Sequence, residues 1–231
     1  MQKLIYAADD DENILSVLEA FLGNAGFAVE TFATGDALKD AFAHKPSDLV
    51  ILDVMMPGTD GMTLCRQLRE ISNVPIVILT AKESEMDQMM GFTFGGDDYL
   101  TKPFSPSLLV MRVKALLRRS EMSSPGAQGD IIFEDLVLSV GEHRLLCGGK
   151  DVGLTATELA FMRCLMGHIS EAVSRDVLLS EVWGIDADVE TRVTDETVRR
   201  IRRKLREAGS AVAITAVWGY GYRLEARDEK T

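Results

Sequence analysis

The sequence predicts an α/β protein in two parts: a doubly wound, five-stranded parallel sheet over residues 1–119, then an α+β domain over 130–228. Two observations carry the first part. Short apolar runs alternate with stretches of helical period five times over. An acid, a hydroxyl or a lysine then closes four of those five runs. A third observation carries the second part: past a Ser/Pro/Gly-rich stretch at 120–129, a flexible linker, the pattern changes to brief strands, three helices and a glycine-punctuated hairpin.

Taken in order, residues 4–8 are apolar and run into Asp9, Asp10, Asp11 and Glu12, which reads as a buried strand. Residues 13–25 place Ile14, Val17, Leu18, Phe21 and Leu22 at helical spacing and stop at Gly26. A strand over 27–32 and a helix over 35–44 follow, then the run 49–52, closed abruptly by Asp53 and a Pro57-Gly58 turn. The next elements are a helix over 61–71, a strand over 75–79 ending at Thr80, and a Met-rich helix over 84–94. A short strand over 98–101 ends at Lys102-Pro103, and a helix over 106–119 completes the part. Strict alternation of this kind implies a parallel sheet covered on both faces. Beyond the linker, strands are predicted over 131–133, 136–139, 144–147 and 150–153, and helices over 155–166, 174–183 and 191–208. The first of these helices opens with Thr155 and Glu158 in capping-box spacing, and a hairpin over 214–224 turns at Gly219 and Gly221.

Composition bounds the function. At 231 residues and 46% hydrophobic content the chain is long enough for two ordinary cores. Cys65, Cys147 and Cys164 lack metal-ligand or redox spacing and read as buried small residues in a reducing compartment. Neither a signal-like N-terminus nor an apolar run of membrane length is present, so a soluble, cytoplasmic protein without a membrane partner is expected. The net charge of −11 argues against nucleic acid until it is resolved by segment. Residues 191–207 hold seven basic against three acidic side chains, a local +4. DNA affinity follows the local field at the phosphates, so a concentrated basic helix suffices.

The strand ends converge. In a doubly wound sheet, Asp9, Asp10, Asp53, Thr80 and Lys102 all reach one crevice at the carboxyl edge. Three carboxylates crowded there call for a hard cation, and Mg²⁺ takes oxygen ligands of this kind. Thr80 offers a hydroxyl donor and Lys102 a point charge, the partners a phosphoryl group requires.

Residues 1–119 thus resemble the receiver domain of two-component response regulators, with its flavodoxin-like sheet. The resemblance runs through Ala8-Asp9-Asp10-Asp11, Leu52-Asp53-Val54-Met55-Met56-Pro57-Gly58, Leu79-Thr80-Ala81 and Asp97-Asp98-Tyr99-Leu100-Thr101-Lys102-Pro103-Phe104. It implies that Asp53 accepts a phosphoryl group from a cognate histidine kinase. Asp10, Asp53 and the backbone carbonyl of Met55 would ligate Mg²⁺ with help from Asp9, while Lys102 and Thr80 would hold the phosphoryl oxygens. Small Ala81 would leave room for the donor, and Tyr99 would be an aromatic switch that turns inward. The family's homodimer, formed on phosphorylation, implies cross-subunit pairs of Asp98 with Arg112 and Asp97 with Arg119; Gln88 and Leu108 replace a third pair.

On the basic helix, Val198, Ile201 and Leu205 share one face, and projection at 100° per residue puts Arg192, Glu196, Arg199, Arg200 and Arg203 around the other. An apolar seam with an Arg-dominated outer face suits a helix lying in a major groove. Residues 130–225 resemble the winged-helix output domain of the OmpR/PhoB class. The matching stretches are Leu154-Thr155-Ala156-Thr157-Glu158-Leu159, Val177-Leu178-Leu179-Ser180-Glu181-Val182-Trp183-Gly184, Val198-Arg199-Arg200-Ile201-Arg202-Arg203-Lys204-Leu205 and Gly219-Tyr220-Gly221-Tyr222-Arg223. The resemblance implies contacts to double-stranded promoter DNA from Arg192, Glu196, Thr197, Arg199, Arg200, Arg202, Arg203, Trp218 and Tyr220. It also implies that the acidic loop at 184–190 faces RNA polymerase. Trp218 stands where the family commonly has an Arg, and its indole is expected to pack on DNA sugars or on the domain itself.

Two rival readings compete with this one. A Mg²⁺-dependent phosphatase with an Asp nucleophile needs a general acid two residues on, where this chain has Met55. A DNA-binding scaffold with a degenerate receiver is opposed by the intact set of Asp9, Asp10, Asp53, Thr80 and Lys102. The expected protein is a regulator rather than an enzyme.

Overall fold

Three apolar runs, over residues 4–8, 49–52 and 76–79, cannot each bury both faces unless helices cover the sheet on two sides, and the computed structural model of the chain has that architecture. It describes residues 2–81, 95–121, 129–184 and 193–227, excluding the side chains of 119–121. The chain divides into two compact units, Met1–Leu117 and Arg118–Thr231.

In the first unit the elements are β1 (Leu4–Ala8), α1 (Glu12–Asn24), β2 (Ala28–Phe32), α2 (Gly35–His44) and β3 (Leu49–Asp53), then α3 (Gly61–Ile71), β4 (Ile76–Thr80), β5 (Asp98–Thr101) and α4 (Pro106–Glu121). The helix predicted over 84–94 lies outside the described residues. The strands are parallel in the order β2-β1-β3-β4-β5, with the chain reversing direction of travel between β1 and β3. That reversal opens the crevice in which such sheets place their ligands.

Alternation along β3 shows how the layers divide. Val50 and Leu52 pack with Leu38, Leu64 and Leu68 of α2 and α3, while Leu49 and Ile51 pack with Leu18, Leu109 and Val113 of α1 and α4. Caps fix the helix starts: Asp11, Thr34 and Asp60 each accept a backbone N–H of the following first turn. At Gly61, which opens α3, any Cβ would overlap the Asp53 carbonyl oxygen, so only glycine lets the helix start this close to β3.

The second unit holds a sheet of β6 (Ile131–Phe133), β7 (Leu136–Ser139), β8 (Arg144–Cys147) and β9 (Lys150–Asp151). Then come α5 (Ala156–Met166), β10 (Ala172–Ser174) and α6 (Arg175–Leu178), which widens into π-helical turns over Leu179–Trp183 and stops at left-handed Gly184. Last are α7 (Val193–Glu207) and the antiparallel hairpin β11 (Val212–Val217) and β12 (Gly221–Ala226). Thr155 caps α5 with the reciprocal Glu158 bond that the sequence predicts. Phe161 meets Trp183 and Tyr222 edge-on at 6.2 and 6.4 Å in the core. The strand β10 is absent from the sequence reading: three residues carry no usable period, and only pairing with β12 makes them a strand.

Gly61→Ala is expected to destabilise the first unit by about 1–3 kcal/mol, because backbone must move to admit the methyl group. Both tryptophans, Trp183 and Trp218, lie in the second unit. Urea unfolding should therefore shift when followed by far-UV circular dichroism and stay put when followed by tryptophan emission.

Candidate functional site

The crevice gathers Asp9 from β1, Asp53 from β3, Thr80 from β4 and Lys102 beyond β5. Asp9 and Asp53 are 0% and 4% exposed, and Asp10 beside them is exposed. One carboxylate oxygen from each of the three lies within 4.8 Å of the others. The Lys102 ammonium bridges the buried two, 2.6 Å from Asp9 Oδ2 and 2.9 Å from Asp53 Oδ1. Burial raises the Asp53 carboxyl above its ordinary range, helped by the Asp9 charge and opposed by Lys102 and by the Met55 N–H, which donates to Oδ2 at 3.1 Å. Burial disfavours the charge on Lys102, but its hydrogen bonds to Asp9 and Asp53 prevail and raise its value. Thr80 is buried at the end of β4, and its carbonyl accepts the Lys102 N–H at 2.6 Å. Met55 is exposed at the crevice rim. These hard oxygen donors fit Mg²⁺, whereas soft metals would want thiolate or imidazole.

Tyr99 is half-buried on β5, packed against the core under α2 and α3. Within this chain, the residues expected at a dimer interface have partners of their own. Asp98 and Arg112, 1% and 3% exposed, bind each other within the protomer at 2.5 Å. Asp97 is equally buried, bound by Arg69 at 2.5 Å while accepting the Ile76 N–H at 2.9 Å. Carboxylates placed one residue apart at the start of β5 point to opposite faces of the sheet, so each meets an arginine of its own protomer's helix layer. The Arg119 side chain lies outside the described residues, as do Gln88 and most of the acidic loop, 185–190.

The basic helix α7 also differs from its projection. Arg199 and Arg203 are exposed and Arg202 is half-buried, its Nε–H donating to the Ile214 carbonyl at 2.8 Å. Glu196, Thr197 and Arg200 are instead buried at 3%, 0% and 6% exposure. The projection assumed a narrow apolar seam, but α7 buries an arc of about 200° at 100° per residue. Arg200 faces the buried Glu158 of α5 at 3.4 Å, which takes it off the outer face. Arg192 lies outside the described residues. Sequence reasoning missed Arg206 and Arg227, which with Arg199 and Arg202 line a recess beside Val212 and Ile214. Arg206 was legible, seven residues beyond Arg199 on the same face; Arg227 follows the last strand and was not. Trp218 and Tyr220 stand out at the hairpin turn, 99% and 52% exposed.

Glu196 has no hydrogen-bond partner among the described residues, and burial pushes its carboxyl up to about 7 against the pull of Arg200, Arg199 and Arg203, with Glu158 adding to the rise.

Residues 5–114 match the response regulator receiver domain, and 149–224 match the C-terminal domain of transcriptional regulatory proteins. The alkaline phosphatase synthesis transcriptional regulatory protein PhoP of Bacillus subtilis is 38% identical over 235 residues, covering 97% of this chain and 98% of its own. The transcriptional regulatory protein ResD of the same organism is 37% identical, over 97% of both. The regulatory protein VanR of Enterococcus faecium is 35% identical, over 97% of this chain and all of its own. Among solved structures, the Thermotoga maritima OmpR/PhoB homologue DrrB is 30% identical with a TM-score of 0.52, covering 98% of this chain and 100% of that one. Across all described residues, no helix is long and apolar enough to cross a membrane.

Two predictions follow from the buried charges. Arg112→Met strips a buried carboxylate of its guanidinium and is expected to cost the first unit about 3–5 kcal/mol in urea unfolding; a variant of unchanged stability would place Arg112 on the surface. Glu196 ionises near 4.5 when unfolded and near 7 when folded. Its contribution therefore favours folding below pH 4.5 and is lost as pH rises through about 7. Relative to Glu196→Gln, the wild-type second unit should lose about 3 kcal/mol between pH 4 and 8.5, read from denaturant curves followed by tryptophan emission.

Proposed function

The chain belongs to the two-component response regulators that join a receiver domain to a DNA-binding domain, and from that premise we propose that phosphorylation of Asp53 by a histidine kinase switches its binding to promoter DNA. Residues 1–119 act as the receiver, 120–129 as the linker and 130–228 as the winged-helix domain. The observation that carries this reading is the Lys102 ammonium within reach of two buried carboxylates at the carboxyl edge of the sheet.

An Asp53 oxygen attacks the phosphorus of a phosphohistidine; the new P–O bond forms as the P–N bond breaks, and the imidazole leaves with a proton. A carboxylate is already deprotonated, so the site needs placement and charge neutralisation rather than a strong base. Asp9, Asp10, Asp53 and the Met55 carbonyl would hold Mg²⁺, which when bound offsets the negative charge gathered at the phosphoryl group. Lys102 supplies the protein's own cation there and Thr80 a hydroxyl donor. Tyr99 follows the movement of Thr80 into the fold, and the change at β5 favours a homodimer. Two second domains then meet paired half-sites, and the acidic loop at 184–190 is the expected contact for RNA polymerase. The reading as a phosphatase finds no support: the relatives are transcriptional regulators, and Met55 supplies no acid.

Incubation with Mg²⁺ and a small phosphodonor should add one phosphate to the wild-type chain by intact mass, and none to Asp53→Asn. Lys102→Ala should still bind Mg²⁺ but lose most of the phosphorylation-dependent dimer in sedimentation. Uptake by Asp53→Asn at the wild-type rate would sink the assignment.

A further inference from the structure

Arg199, Arg202, Arg206 and Arg227 surround a recess of about 380 Å³, with Leu205 of α7 and Val212 to Ile214 of β11 as its other walls. Positions 199, 202 and 206 recur at spacings of three and four, so the three arginines form one stripe along α7. Arg227 joins them from beyond β12, its N–H donating to the Ala211 carbonyl at 2.6 Å.

Most of this charge is left uncompensated. Elsewhere in the second unit Arg175, Arg200 and Arg223 meet carboxylates at 3.0, 3.4 and 2.6 Å. Arg199 has Glu196 at 3.5 Å, but Arg202, Arg206 and Arg227 have no carboxylate partner among the described residues. Backbone carbonyls hold two of the guanidiniums instead. Arg202 Nε–H donates to the Ile214 carbonyl at 2.8 Å, and Arg206 Nε–H donates to the Arg202 carbonyl at 3.3 Å. Each uses one of five donors in this way and keeps its four terminal N–H groups for a ligand. Like charges around one recess repel, and an anion seated among them relieves that repulsion.

The walls say what kind of anion. Leu205, Val212 and Ile214 are apolar, and so are the methylene stems of the arginines. A bare, hydrated phosphate gains nothing from such walls. A duplex is convex and rigid, so it meets the charged rim and leaves the apolar floor unfilled. The complementary ligand has anionic groups for the guanidiniums and an apolar body for the floor, and a flat aromatic body also stacks on guanidinium planes. The volume lies within the range of about 300–1,000 Å³ that small-molecule sites occupy.

We propose that this recess binds a small organic anion with an apolar or aromatic body, and that its occupancy opposes DNA binding. The second half rests on the DNA-binding reading above, in which Arg199 and Arg202 contact promoter DNA. A guanidinium held by the ligand is withdrawn from phosphate, and the opposition is reciprocal by linkage. The second unit then answers to an input of its own, separate from Asp53.

The test titrates the full-length chain with naphthalene disulfonate, a rigid aromatic dianion, by calorimetry without DNA. One saturable site per chain is expected. Pyrophosphate, which has the charge without the body, and naphthalenemethanol, which has the body without the charge, should each bind at least about tenfold more weakly. Arg206→Gln and Arg227→Gln should each weaken disulfonate binding about tenfold. Both side chains are exposed, so the urea midpoint should stay at the wild-type value. Lys150→Gln removes an exposed charge on β9 and should bind the probe as the wild type does. Absence of disulfonate binding, wild-type affinity in the two arginine variants, or equal affinity for pyrophosphate overturns the site. In a second arm, disulfonate at ten times its Kd should raise the half-saturating concentration of a duplex selected from random DNA about tenfold. A duplex affinity that ignores bound disulfonate overturns the opposition and leaves the site. A chain that binds no duplex at low salt overturns the DNA reading, while the first arm still decides the site.

Discussion

Asp9 and Asp53 end neighbouring strands and are buried in one crevice, and the Lys102 ammonium lies between them, within 2.6 and 2.9 Å of their carboxylates. Much of the first unit serves that juxtaposition. Parallel strands put three different chain segments at the same edge, and the switch of direction between β1 and β3 leaves the edge open to a ligand. Gly61 lets α3 begin against the Asp53 carbonyl, which fixes the loop carrying Met55. The two ion pairs of Lys102 thus hold the ends of β1, β3 and β5 to one another at this edge.

The strand ends were legible because a buried parallel strand is written as an apolar run, and its first polar residue marks the sheet edge. That rule located Asp53, Thr80 and Lys102 without any knowledge of the tertiary structure. The helix face was less legible. Periodicity reports which residues are apolar, and on α7 it correctly found Val198, Ile201 and Leu205 in the core. It does not report polar residues buried by partners on other elements, and Glu158, on α5, draws Arg200 inward from a distance of 42 positions in sequence. The Asp98–Arg112 pair failed to be read as internal for a related reason. Sequence gives the charges, and only packing decides whether they meet inside one copy or between two.

Glu158 shows the same logic working constructively. As the third residue of α5 it returns a hydrogen bond to the Thr155 N–H at 2.9 Å, closing the capping box. The same carboxylate binds Lys204 at 2.7 Å and faces Arg200 at 3.4 Å, and it is 1% exposed. One buried anion therefore docks α7 on α5 and withdraws two of its cations from solvent. What remains outward is sparse: Arg199 and Arg203 on the helix, with Arg202, Arg206 and Arg227 at the recess. In a chain of net charge −11, an unpaired basic surface elsewhere would be drawn to its own acidic residues. Grouping these outward cations on one helix face and the recess beside it concentrates positive field there, where a polyanion can meet several at once.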